Sequence, residues 1–408
     1  MRLPAWAWLV IGSMCLAPLA AETRPRYGGT LTVEDIAIPT TETLVRINSR
    51  GGVEPVLAVA WQNDPDFKRW RFSLRTKVVY HDGEPFTAAS AVPSLLAALK
   101  PRHPDVVVEA GGQALLIKSS QPMPDLLQEL ALPDAVIARM GTIGTGPFRA
   151  QGSAFTAFEE YWGGRPYLDT LLLQDAAARG RADLFDVPAG PQRRILPEGW
   201  ITWSSAPRTL VALQGLHTDP NLLNALGAAI DRAPIAEVLA QHKAEPAFGL
   251  LPQWLSGYEF LFHNEPAAFK ITAPPVSLGY PANNPFLRSV AERIALNARD
   301  AGIVIQLKSS GDLQLIELPL ASLDAAYDLE RLAAQLKAGP PATALDRGKP
   351  ESLFAFERAL IEDAHVIPLV HLRKTYAISP KVHIHSSPDQ FSLDLENAWI
   401  EESSELSN

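Results

Sequence analysis

The sequence predicts an α/β protein of mixed sheets flanked by helices, and three observations carry that expectation. From Val276 to Leu307 an apolar strand leads into a helix with Phe286, Val290, Ile294 and Ala298 in register, then Gly302 as a stop and a second strand from Ile303. That is one βαβ unit, which implies parallel strands joined by a right-handed crossover. Between Arg69 and Arg75, Trp70, Phe72 and Leu74 alternate with Arg69, Arg71, Ser73 and Arg75, the period of a half-buried strand whose other face is wet and basic. Third, 408 residues at 47% hydrophobic and 20% charged are enough for two or three domains, each with its own core.

Composition narrows the function. The formal net charge is -9 and no dense block of Lys or Arg occurs, which argues against nucleic acid or an anionic membrane as partner. The 35 prolines are spread along the chain, so they punctuate many short elements instead of forming a low-complexity tract.

In chain order, Met1-Arg2 and the apolar run that follows end in Ala20-Ala21 before Glu22, the layout of a secretory signal peptide cut after Ala20 or Ala21. The run is barely long enough to span a bilayer, which disfavours an uncleaved anchor. Met14 before Cys15 is not the small residue that a lipid-attachment motif needs, so lipoprotein anchoring is disfavoured too. Cys15 is the single cysteine, so cleavage leaves a mature chain without thiol or disulfide. Tyr27 to Val33 reads as a glycine turn feeding a strand. After the 69–75 strand, Asp82-Gly83 supplies a turn that needs positive φ, and Thr87 or Ser90 caps the next helix. Ser90 is the better candidate, because Pro93 then falls in the first turn. Val92, Leu95, Leu96 and Leu99 give that helix one apolar stripe.

Val106 to Lys118 reads as a hairpin turned at Gly111-Gly112, and Asp125 to Leu132 as a short helix. Gly144 to Gly146 and Tyr161 to Gly164 are turns between strands, with the aromatic pair packed on the sheet and the 144–146 glycines open to close approach by a ligand. Asp219-Pro220 opens a helix carrying Leu222, Leu223, Leu226 and Ile230. Asp231 precedes another helix, so capping, not acid catalysis, is its expected work. Leu313 to Leu320 is a strand and Leu323, Tyr327 and Leu332 mark a helix. Gly339 to Pro350 is a loop, Leu353 to Ala364 the last long helix, and Ile367 to Ser379 a closing strand.

Several of these blocks, at this order and spacing, resemble one known family. Pro55, Leu57, Ala58, Trp61, Trp70-Arg71-Phe72, Leu74-Arg75, Val78, His81-Asp82-Gly83, Pro85-Phe86-Thr87-Ala88 and Val92 are similar to the signature of the family 5 extracellular solute-binding proteins, the dipeptide, oligopeptide and nickel receptors of ABC importers. Ala89 and Ser90 stand where that family usually has two acidic residues. Gly144 to Phe148, Tyr161 to Gly164 with Pro166 to Asp169, Ala229-Ile230-Asp231-Arg232 and the Ile367-Pro368-Leu369 return resemble further blocks of it.

The resemblance implies a two-lobed periplasmic binding protein fold of type II, cluster C. The division expected is a signal peptide at 1–21, a first lobe at 22–210 with an extra subdomain at about 53–140, a second lobe at 211–366 and a return to the first lobe at 367–408. It implies a monomer that binds a peptide or similar small solute between its lobes and hands it to membrane permease subunits, with no cofactor and no chemistry on the ligand. Asp324 is the nearest counterpart of the acidic residue that peptide receptors use for the ligand amine, and is expected to be a surface carboxylate with no partner in the folded chain. Gly144, Thr145 and Gly146 are the other candidate ligand residues. The passage from Val33 to Pro55 is shorter than the family's, which puts part of the cleft wall in question. So does the second-lobe passage after Leu320, and a non-transporting envelope module or a binder of a metal chelate is the alternative reading.

Enzyme readings find little support. No GxSxG, HExxH, Walker or Rossmann pattern occurs. His383 and His385 lie two apart with Asp389 nearby, but no fourth metal ligand is visible and solvated histidines are expected.

Overall fold

The structure is a computed structural model describing residues 24–48, 51–174, 182–191, 195–216, 218–262, 274–338, 345–347, 349–385 and 393–401. The expected signal peptide, Cys15 and Asp389 lie outside these residues, as do Ala177 to Arg181 and most of the Gly339 to Pro350 passage.

Two long antiparallel strands, Ile201–Gly215 and Val366–Ile378, form the middle of an eleven-stranded sheet. Their two ends carry different halves of it. Ile378, Ala377 and Tyr376 pair with Leu184–Asp186, and from there the first half continues through Thr30–Glu34, Thr170–Gln174, Ala154–Ala157 and Phe148–Gln151. Thr209 to Gly215 pair with Leu313–Pro319, and the second half continues through Val276–Gly279 to the edge strand Ile305–Lys308. Val276–Gly279 runs parallel to Ile305–Lys308, with the helix Pro285–Asp300 between them, as the βαβ pattern predicts.

Alternation explains how the second half is buried on both faces. Val211 and Leu213 face the helices Pro220–Ala229 and Pro285–Asp300, packing on Leu223, Leu226, Val290 and Ile294. Leu210 and Ala212 face the helices Ala325–Gln335 and Pro350–Asp363, packing on Leu329, Leu332, Phe356 and Leu360. Between the two halves the ladder of the long strands is broken by register shifts at Ser204, Pro207 and Thr209, where Pro207 has no N–H to give.

A separate four-stranded antiparallel sheet, Ala58–Asn63, Arg69–Leu74, Ala114–Lys118 and Val107–Gly111, forms the subdomain. Trp70, Phe72 and Leu74 are buried against Leu95 and Leu99 of the helix Ala88–Leu99, while Arg69, Arg71 and Ser73 are exposed. Gly83 turns at φ 86°, as the Asp82-Gly83 reading requires. The cap of the helix is corrected: Thr87, not Ser90, is the N-cap, with extended backbone at φ -132° and ψ 163°. Its hydroxyl accepts from Ser90 N, and Ser90 Oγ accepts from Thr87 N, so two orphan donors are satisfied reciprocally. Pro93 therefore sits inside the helix, one turn later than expected, where the carbonyl it leaves unpaired belongs to the exposed Ala89. Asp219 caps its helix by accepting from Asn221 N. Asp231 does not cap the next helix as expected: Pro234 is the N-cap of Ile235–Leu239, and the Asp231 carboxylate accepts from Ala233 N in a local turn ahead of it.

Candidate functional site

The two halves of the protein meet around a pocket of about 350 Å³ lined from both sides. Ile47 and Gly51 come from the hairpin Val45–Ile47/Val53–Pro55, and Gln128 from the subdomain helix Leu126–Glu129. Ser322 to Ala326, Arg347 and Leu353 come from the second half. The passage that the family comparison marked as short thus still reaches across: a Cβ on Gly51 would lie 3.5 Å from Leu323 Cβ.

One ion pair crosses the gap. Arg347 Nη1 and Nη2 donate to Asp125 Oδ1 and Oδ2 at 2.5 and 2.6 Å, and Nη2 also donates to Glu330 Oε2 at 2.6 Å. Asp125 stands just ahead of Leu126–Glu129, so a short helix aims it at the other half. Burial pushes the Asp125 carboxyl up to about 6; Arg347 pulls it down, and Glu330, Asp324 and Glu129 add to the rise. Beside it, the buried Glu129 meets His103 Nε2 at 2.9 Å, and that hydrogen bond raises the imidazole above its ordinary value.

The second-half wall is held from beneath. Asp328 is buried and accepts from Ala321 N at 2.8 Å and Ser322 N at 3.2 Å, which fixes the bend that presents Ser322 to Asp324. Arg208 donates to the carbonyls of Leu320 and Ser322, and burial pulls its guanidinium down to about 10. A half-buried arginine and a buried aspartate thus brace one loop.

Asp324 lines the pocket, but it has a partner in the folded chain, contrary to expectation. Its Oδ1 accepts from Tyr327 N at 3.0 Å as the N-cap of Ala325–Gln335, leaving its other oxygen for further contacts. Gly144, Thr145 and Gly146 do not line this pocket. The close approach that the two glycines permit is filled by chain: a Cβ on Gly144 would lie 2.0 Å from Thr40 O, and one on Gly146 2.6 Å from Pro39 O. The Thr145 hydroxyl donates to the buried Glu42 at 2.7 Å. His383 stacks on Trp399 with ring centroids 3.8 Å apart and faces Glu401 at 3.4 Å. Among the described residues no three His, Cys, Asp or Glu are grouped to hold a metal ion.

Sequence reasoning missed Asp125, Gln128 and Arg347. Asp125 and Arg347 are 222 positions apart, so no local period links them, and an arginine in a Gly/Pro-rich loop carries no signal of its own.

Comparison with known proteins agrees with this architecture. The chain is 31% identical to the nickel-binding periplasmic protein of Escherichia coli over 160 residues, 32% of this chain and 30% of that one. It is 25% identical to the nickel-binding protein NikA of Staphylococcus aureus over 330 residues, 68% of this chain and 66% of that one. It therefore spans less than two thirds of these relatives. Among solved structures, NikA from S. aureus in complex with Ni(L-His)2 superposes with a TM-score of 0.70 at 18% identity, covering 91% of this chain and 100% of that one. DppA from Helicobacter pylori in complex with the peptide STSA superposes at 0.72 and 15% identity, covering 93% and 99%. The model of the bacterial extracellular solute-binding proteins, family 5 Middle, matches residues 52–347, and the chain belongs to that family.

Proposed function

We propose that the chain is the periplasmic solute-binding component of an ABC importer, holding a small solute in the pocket between its lobes. The observation that carries the reading is a pocket lined by both halves and bridged by Arg347 and Asp125, since closure around a solute needs walls on both sides. Its volume, about 350 Å³, lies near the lower end of the range of small-molecule pockets and favours a dipeptide-sized solute or a compact chelate over a long peptide. The free oxygen of Asp324, Gln128 and the Arg347 guanidinium are the polar groups that would orient it. Gly144 to Gly146 are left with a scaffolding role.

Closure would pivot where the long strands lose register, between Ser204 and Thr209 and opposite Arg373 to Thr375. This hinge falls close to the expected lobe boundaries near 210 and 367. We read the amino-terminal run as a cleaved export signal, the protein acting as a monomer with membrane permease subunits. Protein recovered from the cell envelope should begin near Glu22 by intact mass, and a chain retaining Met1 in the cytoplasmic fraction refutes export. Relatives named for nickel and neighbours holding peptides set the library for the binding test: di- and tripeptides alongside Ni(L-His)2. A solute that binds only the folded state raises its stability by about 2.7 kcal/mol at a hundred times its dissociation constant. A melting shift with one of these classes is expected; a folded protein that shifts with none of them refutes the importer reading and leaves the non-transporting module.

A further inference from the structure

We propose a second binding site, outside the interlobe pocket, for the carboxylate or phosphate group of a small organic anion, built on Arg75, Lys77 and Trp162. These residues line a hollow of about 430 Å³ together with Val59, Leu74 and Thr76, and it shares no residue with the pocket between the lobes.

The guanidinium of Arg75 is fixed on one edge and one face. Its Nε donates to Val56 O at 2.9 Å, and its Cζ lies 3.7 Å from the centroid of the Trp162 ring. The ring is itself anchored, since Trp162 Nε1 donates to both carboxylate oxygens of Glu42 at 3.0 Å. Tyr161 Oη and Thr145 Oγ1 donate to the same carboxylate from the other side. The stacked, half-bonded guanidinium therefore cannot swing away to find solvent partners at will. Among the described residues no acceptor meets Nη1 or Nη2 of Arg75, and none meets Nζ of the exposed Lys77.

What remains open is the end of the arginine fork, the edge that matches the two oxygens of a carboxylate or phosphate. Lys77 supplies a second positive charge to the same hollow, in a chain whose formal net charge is -9. Leu74, Val59 and the indole give the remaining wall an apolar character, which suits a short carbon frame carrying the anionic group. Arg347 and Arg208, by contrast, face a carboxylate or a carbonyl with their terminal nitrogens. Arg75 holds its fork in place and leaves it unoccupied by the chain's own groups.

Calorimetric titration of the mature protein at low ionic strength, with citrate in one arm and inorganic phosphate in the other, tests the site. Binding of at least one anion is expected, and the tighter arm identifies the group. Lys77→Gln removes the charge but keeps most of the side chain on an exposed residue, should leave the melting temperature unchanged, and should weaken binding about tenfold, the worth of one charge-assisted hydrogen bond. Arg75→Lys keeps the charge but removes the fork and should weaken it further. No heat from either anion at millimolar concentration overturns the proposal, as does an affinity that Lys77→Gln leaves untouched. Binding lost in Arg347→Ala and kept in Lys77→Gln would put the anion between the lobes and also overturn it.

Discussion

Replacing Arg347 with alanine should open the cleft. The guanidinium makes two parallel bonds to Asp125 and one to Glu330, and its side chain is 31% exposed against 13% for Asp125. Fully exposed pairs contribute about 0.2–1 kcal/mol, whereas breaking a buried one costs about 3–5 kcal/mol. A bidentate pair of two half-buried partners falls between, at about 2 kcal/mol, which is about thirtyfold in the ratio of closed to open molecules. Small-angle scattering of the unliganded protein should show a larger radius of gyration in Arg347→Ala, and a ligand found by the screen should bind more weakly because it must supply the closing energy itself. Asp125→Ala should do the same, and the double substitution should cost little more than either alone, since both break one contact. Scattering profiles that superpose, with full additivity in the cycle, would show that the pair does not hold the lobes together.

Two further outcomes follow from the same geometry. Asp324→Ala should abolish binding of an amine-bearing ligand and lower the unliganded stability by about 1 kcal/mol, because the cap on Tyr327 N is lost; urea unfolding without ligand measures the second effect. Glu357 is buried under bonds from Leu250 N, Leu251 N and Tyr258 Oη, and burial raises its carboxyl from 4.5 to about 7. The folded protein then keeps a proton that the unfolded chain releases, so this group's contribution is full below about pH 4.5 and is lost as pH rises through about 7. Glu357→Gln should gain on the wild type by up to about 3 kcal/mol between about pH 5 and about pH 8 in urea unfolding, and parallel pH profiles would refute the assignment. His371, which burial lowers to about 3, acts in the opposite sense and destabilises the wild type and the variant alike as pH falls below 6.5.

Legibility in the sequence followed the range of the interaction. The strand Arg69–Leu74 and the βαβ unit were readable because their periods are set within ten or twenty residues by which side chains must be buried. The cap at Thr87 was half readable: Thr87 and Ser90 are three apart, the spacing of a reciprocal pair, but the proline argument put the boundary at the wrong partner. The site was least readable. Asp324 was found through a family resemblance, and its capping bond was missed although the stripe Leu323, Tyr327 and Leu332 already marked the helix it begins. Gly144 and Gly146 were legible as places where something comes close, yet glycine does not say whether that is a ligand or, as here, the backbone of Pro39 and Thr40. Trp162 and Arg75 belong to two separate family blocks, and no local pattern says that one will stack on the other.

If the lobes close as proposed, the hinge and the ion pair would divide the control of closure between them. At the hinge the ladder between the long strands is interrupted, and side chains take over part of the bonding. Ser204 and Thr375 share a hydroxyl bond at 2.8 Å, Ser205 Oγ accepts from Lys374 N at 3.1 Å, and Trp254 Nε1 donates to Pro207 O at 2.9 Å. Bending there disturbs few backbone hydrogen bonds, because Pro207 removed one donor and the bulges displaced others. A soft hinge does not choose between open and closed states, so the choice falls to groups that touch in one state and part in the other. In the proposed closure Asp125 and Arg347 would be such groups, with Gly51 against Leu323 as the apolar counterpart. A solute bound beside them has to add only a modest difference in affinity to shift the balance, and any solute that competes for Arg347 has to break the pair first. On the proposed reading, affinity would therefore be set as much by the Asp125 and Glu330 bonds to Arg347 as by the residues that touch the solute.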